Sequence, residues 1–183
     1  MRDAVAAGLG DEVLDGQRCF RALLEATSRP GRVVRLGGAL PVPPAPLAPA
    51  AYVFLLALAD FETPVWLDQA ASVPQVEATL RFRCGCPLTV DPAAATFAVV
   101  TDPATLPPLE TFAQGTPEYP DRSTTVVLQV ADLGAGERLR LRGPGVLGEA
   151  ELRVSGARQG LWAELRANRA SFPQGVDLVL AAG

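Results

Sequence analysis

Arg138, Arg140 and Arg142 alternate with leucine, so an extended backbone carries their three guanidinium groups on one side. Guanidinium forks bind carboxylate and phosphate oxygens in pairs. The row is therefore read in two ways: a contact for a triphosphate or acidic partner, or the charged edge of a strand that resists aggregation. Arg21 and Arg29 flank a first helix and have two similar uses. They bind an anionic ligand or a neighbouring subunit's carboxylates, or they belong to a solvated face on which Arg21 pairs with Glu25. Asp60 and Thr63, with Glu62 between them, lie on a polar turn that enters a strand. They offer a carboxylate base and a hydroxyl, or only the cap of the turn before Pro64. Cys84-Gly85-Cys86 invites a metal, but Cys19 is the only further cysteine. Two half-buried thiols on one face of an extended segment are the expectation, with no metal.

What is missing narrows the chemistry further. All 16 cations are arginine, and neither histidine nor lysine occurs. Histidine is the usual acid–base group near neutral pH, and lysine forms Schiff bases. The chain by itself cannot supply a Ser-His-Asp triad, a Cys-His pair, a histidine-ligated zinc or a pyridoxal-phosphate aldimine. An Ala-, Gly-, Pro- and Arg-rich composition also arises from a GC-rich genome without any chemical purpose. The consequence is the same for either cause.

A chain of 183 residues that is 49% apolar and 20% charged is expected to form one domain spanning 1–183 with a substantial core. Its net charge of -4 argues against nucleic acid as a partner. No apolar run reaches the roughly 20 residues of a membrane span. The N-terminus shows no basic leader followed by an apolar stretch, so a cytoplasmic protein is expected.

These groups are positioned by alternating elements. Phe20, Leu23, Leu24 and Thr27 recur at helical spacing, predicting an amphipathic helix over 17–27 with Arg18, Arg21 and Glu25 outward. Pro30-Gly31 ends it, and a strand is expected at 32–36, followed by a proline-rich loop at 41–46. Residues 50–58 read as a buried helix, 64–67 as a strand with Trp66 in the core or at an oligomer contact, and 73–82 as a helix with Val73, Val76, Leu80 and Phe82 inward. Strands are expected at 96–100, 123–130, 138–142, 149–154 and 176–180, and helices at 104–113 and 161–168. The run at 123–130 is apolar on both faces. Gly143-Pro144-Gly145 reads as a connecting turn rather than a phosphate cradle. The expected fold is an α/β/α sandwich, and the neighbouring strands near 124–154 suggest a mixed central sheet.

Several segments together resemble one family. They are Phe20-Arg21-Ala22-Leu23-Leu24 closed by Ser28-Arg29-Pro30-Gly31, and Leu58-Ala59-Asp60 with Thr63-Pro64-Val65-Trp66-Leu67. Leu80-Arg81-Phe82, Ala95-Thr96-Phe97-Ala98, Gly115-Thr116, Leu128-Gln129-Val130, Leu141 with Gly143-Pro144-Gly145, and Phe172-Pro173 with Gly175-Val176-Asp177 follow in order. The pattern, over about 17–180, is similar to the H subunit of the bacterial carbon–phosphorus lyase system, which degrades phosphonates. Family members usually continue through a further strand, and the Cys-Gly-Cys element is not part of their pattern.

The resemblance implies a three-layer α/β/α sandwich similar to pyridoxal-phosphate-dependent transferases but without the cofactor. It also implies a homodimer in isolation and a core complex with the G, I and J subunits. There the G, H, I and L subunits form ribose 1-phosphonate 5-triphosphate from ATP and a phosphonate, and the iron–sulfur chemistry belongs to J. Three readings are open: an assembly subunit without an active site of its own, a contributor of catalytic or ligand-binding residues such as Asp60, and a stand-alone binder of phosphorylated metabolites.

Overall fold

The computed structural model describes residues 5–183. Residues 1–4, on which the leader expectation partly rests, lie outside the described residues. Chain order runs α1 (Leu14–Ser28), α2 (Pro49–Leu58), β1 (Val65–Leu67), α3 (Pro74–Arg83), β2 (Leu88–Thr89), β3 (Phe97–Val100), β4 (Thr125–Gln129), β5 (Asp132–Leu141), β6 (Ala150–Ser155), α4 (Leu161–Ala170) and β7 (Asp177–Ala181).

The central sheet has the strand order β2-β1-β3-β4-β7, and every pairing in it is parallel. This corrects the mixed sheet expected from sequence. The adjacent strands that suggested it, β5 and β6, pair antiparallel with each other in a separate two-stranded ribbon. Parallel neighbours need crossover connections, and these cover both faces.

Alternation along each strand sorts side chains between two cores. Val65, Val99, Val127 and Ala181 point to the side of α2 and α3, with Tyr52, Phe54, Leu55, Val76 and Leu80. Ala98, Val100, Val126 and Leu128 point to the other side, with Leu109, Phe112, Val154 and Leu161. Val126, Val127 and Leu128 are fully buried, so β4 is apolar on both faces as expected. Helices therefore lie on both sides of the sheet. Each fully buried Val or Leu here contributes roughly 1.5–3 kcal/mol.

Local chemistry explains the helices. Pro49 and Pro74 sit in the first turns of α2 and α3, where their missing N–H costs nothing. Glu77 near the start of α3 and Arg81 and Arg83 near its end complement the helix dipole. Trp66 is half-buried, edge-on to Phe112 at 5.7 Å.

Other expectations need correction. Residues 32–36 form no strand, since Val33 and its neighbours find no pairing partner. Residues 104–113 hold two short 3₁₀ turns, Pro103–Thr105 and Leu109–Thr111, because Pro107 and Pro108 interrupt any helix between them. The two-residue β2 was not foreseen. Phe82 is 70% exposed beneath the Arg83 guanidinium rather than inward. On α1 the buried residue is Cys19, whereas Phe20 and Leu24 face outward. Cys84 and Cys86 are not on an extended segment: Cys84 closes α3 in a helical conformation and Gly85 turns at φ +67°.

Candidate functional site

In an open parallel sheet, ligands bind beyond the carboxyl ends of the strands where the strand order reverses. Here the chain steps from β1 outward to β2 and then back across β1 to β3, so that place lies between the ends of β1 and β3. Asp68 immediately follows β1 and is 1% exposed. Its carboxylate accepts hydrogen bonds from the amides of Ala71 (2.8 Å), Thr101 (2.7 Å) and Asp102 (3.0 Å). The Thr101 hydroxyl donates at 3.0 Å and the Thr105 hydroxyl at 3.4 Å. Converging amides and hydroxyls of this kind are what a fold offers an anionic ligand. The chain fills the position with its own side chain.

The end of β4 is closed in a similar way. Gln129 Oε1 accepts from the Ala48 amide at the start of α2 (2.5 Å), and its Nε2 donates to the Pro46 carbonyl (3.2 Å). Neither Asp68 nor Gln129 was singled out as functional from sequence. The available signal was position: an acid directly after the apolar run Val65-Trp66-Leu67, and a lone amide in a strand of valine and leucine.

Asp60 and Thr63 lie at the opposite, amino end of β1. The Thr63 hydroxyl donates to the Asp60 carbonyl (2.9 Å) and accepts from its amide (2.6 Å), while Asp60 Oδ1 accepts from the Glu62 amide (2.9 Å). This is a self-contained turn. Arg138 and Arg140 stand on β5 and Arg142 just after it, facing Glu151 on β6 and Glu149 just before β6. Arg138 pairs with Glu151 at 2.5 Å, and Arg140 and Arg142 pair with Glu149 at 3.6 and 2.6 Å. Gly145 adopts φ +77° in the connecting loop, where a Cβ would lie 2.7 Å from the Ser28 carbonyl. The loop thus packs on the end of α1 and is no phosphate cradle.

Arg29 pairs with Glu25 at 3.7 Å, and Arg32 with the same carboxylate at 3.0 Å. Arg21, which one of its two readings paired with Glu25, takes part in none of the ion pairs of the described residues and is exposed. It shares the outer face of α1 with Val13 (66% exposed), Phe20 (48%) and Leu24 (55%), which follow one another at helical spacing. Beside them runs a groove of about 530 Å³ lined by Gln17, Phe20, Leu56, Ala57 and Arg83. Amphipathic helices normally leave polar residues outside, so an apolar outer stripe is unusual on a solvated helix. The structure therefore separates the predicted residues into three places: the outer face of α1, the turn before β1, and the ribbon.

The thiols form a fourth cluster. Cys86 is buried and Cys84 half-buried at the junction of α2 and α3. The neighbouring Cys86 sulfur pushes the Cys84 thiol up, reinforced by burial, and Cys84 in turn holds Cys86 below the ordinary thiol value. Burial and the Asp15 charge raise Cys19. Among the described residues no group of three or more His, Cys, Asp or Glu could hold a metal ion, and no helix is long and apolar enough to cross a membrane.

Comparison with known proteins adds the family. Residues 7–183 match the family model described as bacterial phosphonate metabolism protein (PhnH). A Rhizobium meliloti (strain 1021) protein named alpha-D-ribose 1-methylphosphonate 5-triphosphate synthase subunit PhnH is 40% identical over 180 residues, covering 97% of this chain and 88% of that one. A Stutzerimonas stutzeri relative, HtxG, named for a C-P lyase subunit, is 45% identical over 69 residues, or 38% of this chain and 35% of its own.

Proposed function

The chain belongs to the bacterial phosphonate metabolism protein (PhnH) family, and on that premise we propose that it is a non-catalytic subunit of a carbon–phosphorus lyase complex in phosphonate catabolism. Its role is to help assemble the synthase that makes ribose 1-methylphosphonate 5-triphosphate, alongside G, I and L subunits. In this reading it pairs with itself in isolation, joins G, I and J in the core complex, and works in the cytoplasm. A likeness to pyridoxal-phosphate transferases would then concern shape alone, as no lysine is present to form an aldimine.

The observation that carries this reading is the Asp68 network. The place where an open parallel sheet would hold a ligand is filled by an internal carboxylate, while an apolar stripe on α1 stays about half exposed among the described residues. We assign that stripe to another subunit of the complex, with Arg21 facing that subunit's carboxylates and Arg29 at its margin. Asp60, Thr63, Arg138, Arg140 and Arg142 serve the chain's own turns and ribbon in this account.

Co-expression with G and I subunits of a carbon–phosphorus lyase complex tests it. The reading predicts that a tag on this chain recovers both. Recovery of the chain only as a free homodimer contradicts it, and ATP-dependent turnover of methylphosphonate by the chain alone would replace it with an enzyme reading.

A further inference from the structure

We propose that Cys84 and Cys86 form a reversible intramolecular disulfide, making the junction of α2 and α3 a site of oxidation by small-molecule disulfides.

The backbone brings the pair together. Two extended residues span at most about 7 Å. Cys84 is instead helical (φ -102°, ψ -20°), and Gly85 turns the chain at φ +67°. The departure from extended backbone at Gly85 shortens the span toward the roughly 4.4–6.8 Å between Cα atoms that a disulfide accepts. A side chain at position 85 would strain in that conformation, so glycine is what allows the approach. The two thiols meet on one core cluster, and Cys84 is open enough for a small oxidant to reach.

Little holds the thiols apart. The Cys84 Sγ donates to the Leu55 carbonyl at 3.6 Å and the Cys86 Sγ to the Leu80 carbonyl at 3.9 Å, both weak contacts. The Cys84 neighbour and the Arg81 charge favour the thiolate at Cys86, which is buried, while the Cys86 neighbour and burial push the more open Cys84 up, so the exchange is run in mild alkali. Cys19 has no thiol beside it, and burial disfavours its thiolate.

The reaction is two exchanges. A thiolate of the pair attacks oxidised glutathione, forming a mixed disulfide and releasing one glutathione thiolate. The other cysteine, deprotonated, then attacks the protein-side sulfur and releases the second. The two thiol protons end on the two glutathiones; the protein loses two electrons and the glutathione disulfide gains them.

The test uses the full-length reduced chain, folded, in excess oxidised glutathione at about pH 8. After acid quenching, samples are unfolded, alkylated and peptide-mapped. The proposal predicts a peptide spanning 84–86 that is unalkylated and two hydrogens lighter, with Cys19 alkylated, and full reversal by dithiothreitol. It also predicts that Cys86→Ser, or Cys86→Ala should the serine variant not fold, keeps glutathione on Cys84 as a lasting adduct. Two alkylated thiols in the wild-type peptide, a lasting wild-type adduct, a link to Cys19 or a second molecule, or a Cys86 variant that takes up no glutathione would each overturn it. None of these outcomes depends on the assembly reading.

Discussion

The carboxyl edge of the sheet and the outer face of α1 treat their exposed chemistry in opposite ways. At the edge, Asp68 and Gln129 carry the polar atoms a ligand would need, and both are engaged by the chain's own backbone. On α1, Val13, Phe20 and Leu24 remain open to solvent, and Arg21 makes no ion pair with the described residues. A region that satisfies itself stabilises a fold, whereas apolar surface left in water is stabilised only by a partner. The contrast supports the proposed partner contact on the helical layer.

The contrast is broken most forcefully at Asp68. Asp68→Ala leaves the buried Ala71 amide and the part-buried Thr101 and Asp102 amides without this acceptor, an expected loss of about 3 kcal/mol in urea unfolding. Loss of less than about 1 kcal/mol would mean that water or an anion reaches this point and that the edge is not closed. Formate or phosphate that restores stability to the alanine variant would show that a ligand-like cavity lies beneath the carboxylate. Gln129→Ala removes the contacts to Ala48 and Pro46 and is expected to cost about 1–2 kcal/mol, read as a lower unfolding midpoint.

Why the sequence showed one region and not the other is a matter of range. Helix α2, β4 and the ribbon were legible because unbroken apolar runs and alternation are local signals. Asp68 was not, because its partners Thr101, Asp102 and Thr105 lie more than 30 residues away and meet it only once β1 and β3 pair. The spacing of Phe20 and Leu24 was read correctly as helical, but periodicity cannot say whether a stripe meets its own core or another protein. The parallel sheet was missed because β5 and β6 look, in sequence, like any two neighbouring strands.

Smaller effects sharpen the comparison. The Arg158 guanidinium donates to Glu164 at 2.6 Å and holds its carboxyl below the usual range. A carboxyl with a lowered folded value stabilises above its ordinary pKa of about 4.3, and that contribution fades as pH falls through the folded value. The stability difference between wild type and Glu164→Gln should therefore be present at neutral pH and shrink below about pH 4. Arg140→Ala, on the solvated ribbon, should cost less than about 1 kcal/mol in thermal or urea unfolding, since its pairing with Glu149 is exposed.

The measurement that goes to the centre is capture of the G and I subunits by tagged chain carrying Phe20→Asp and Leu24→Asp, set against Asp60→Asn. The account predicts that the α1 variant keeps its circular dichroism and melting temperature but recovers neither partner, while Asp60→Asn recovers both. Wild-type recovery by a folded α1 variant would contradict it.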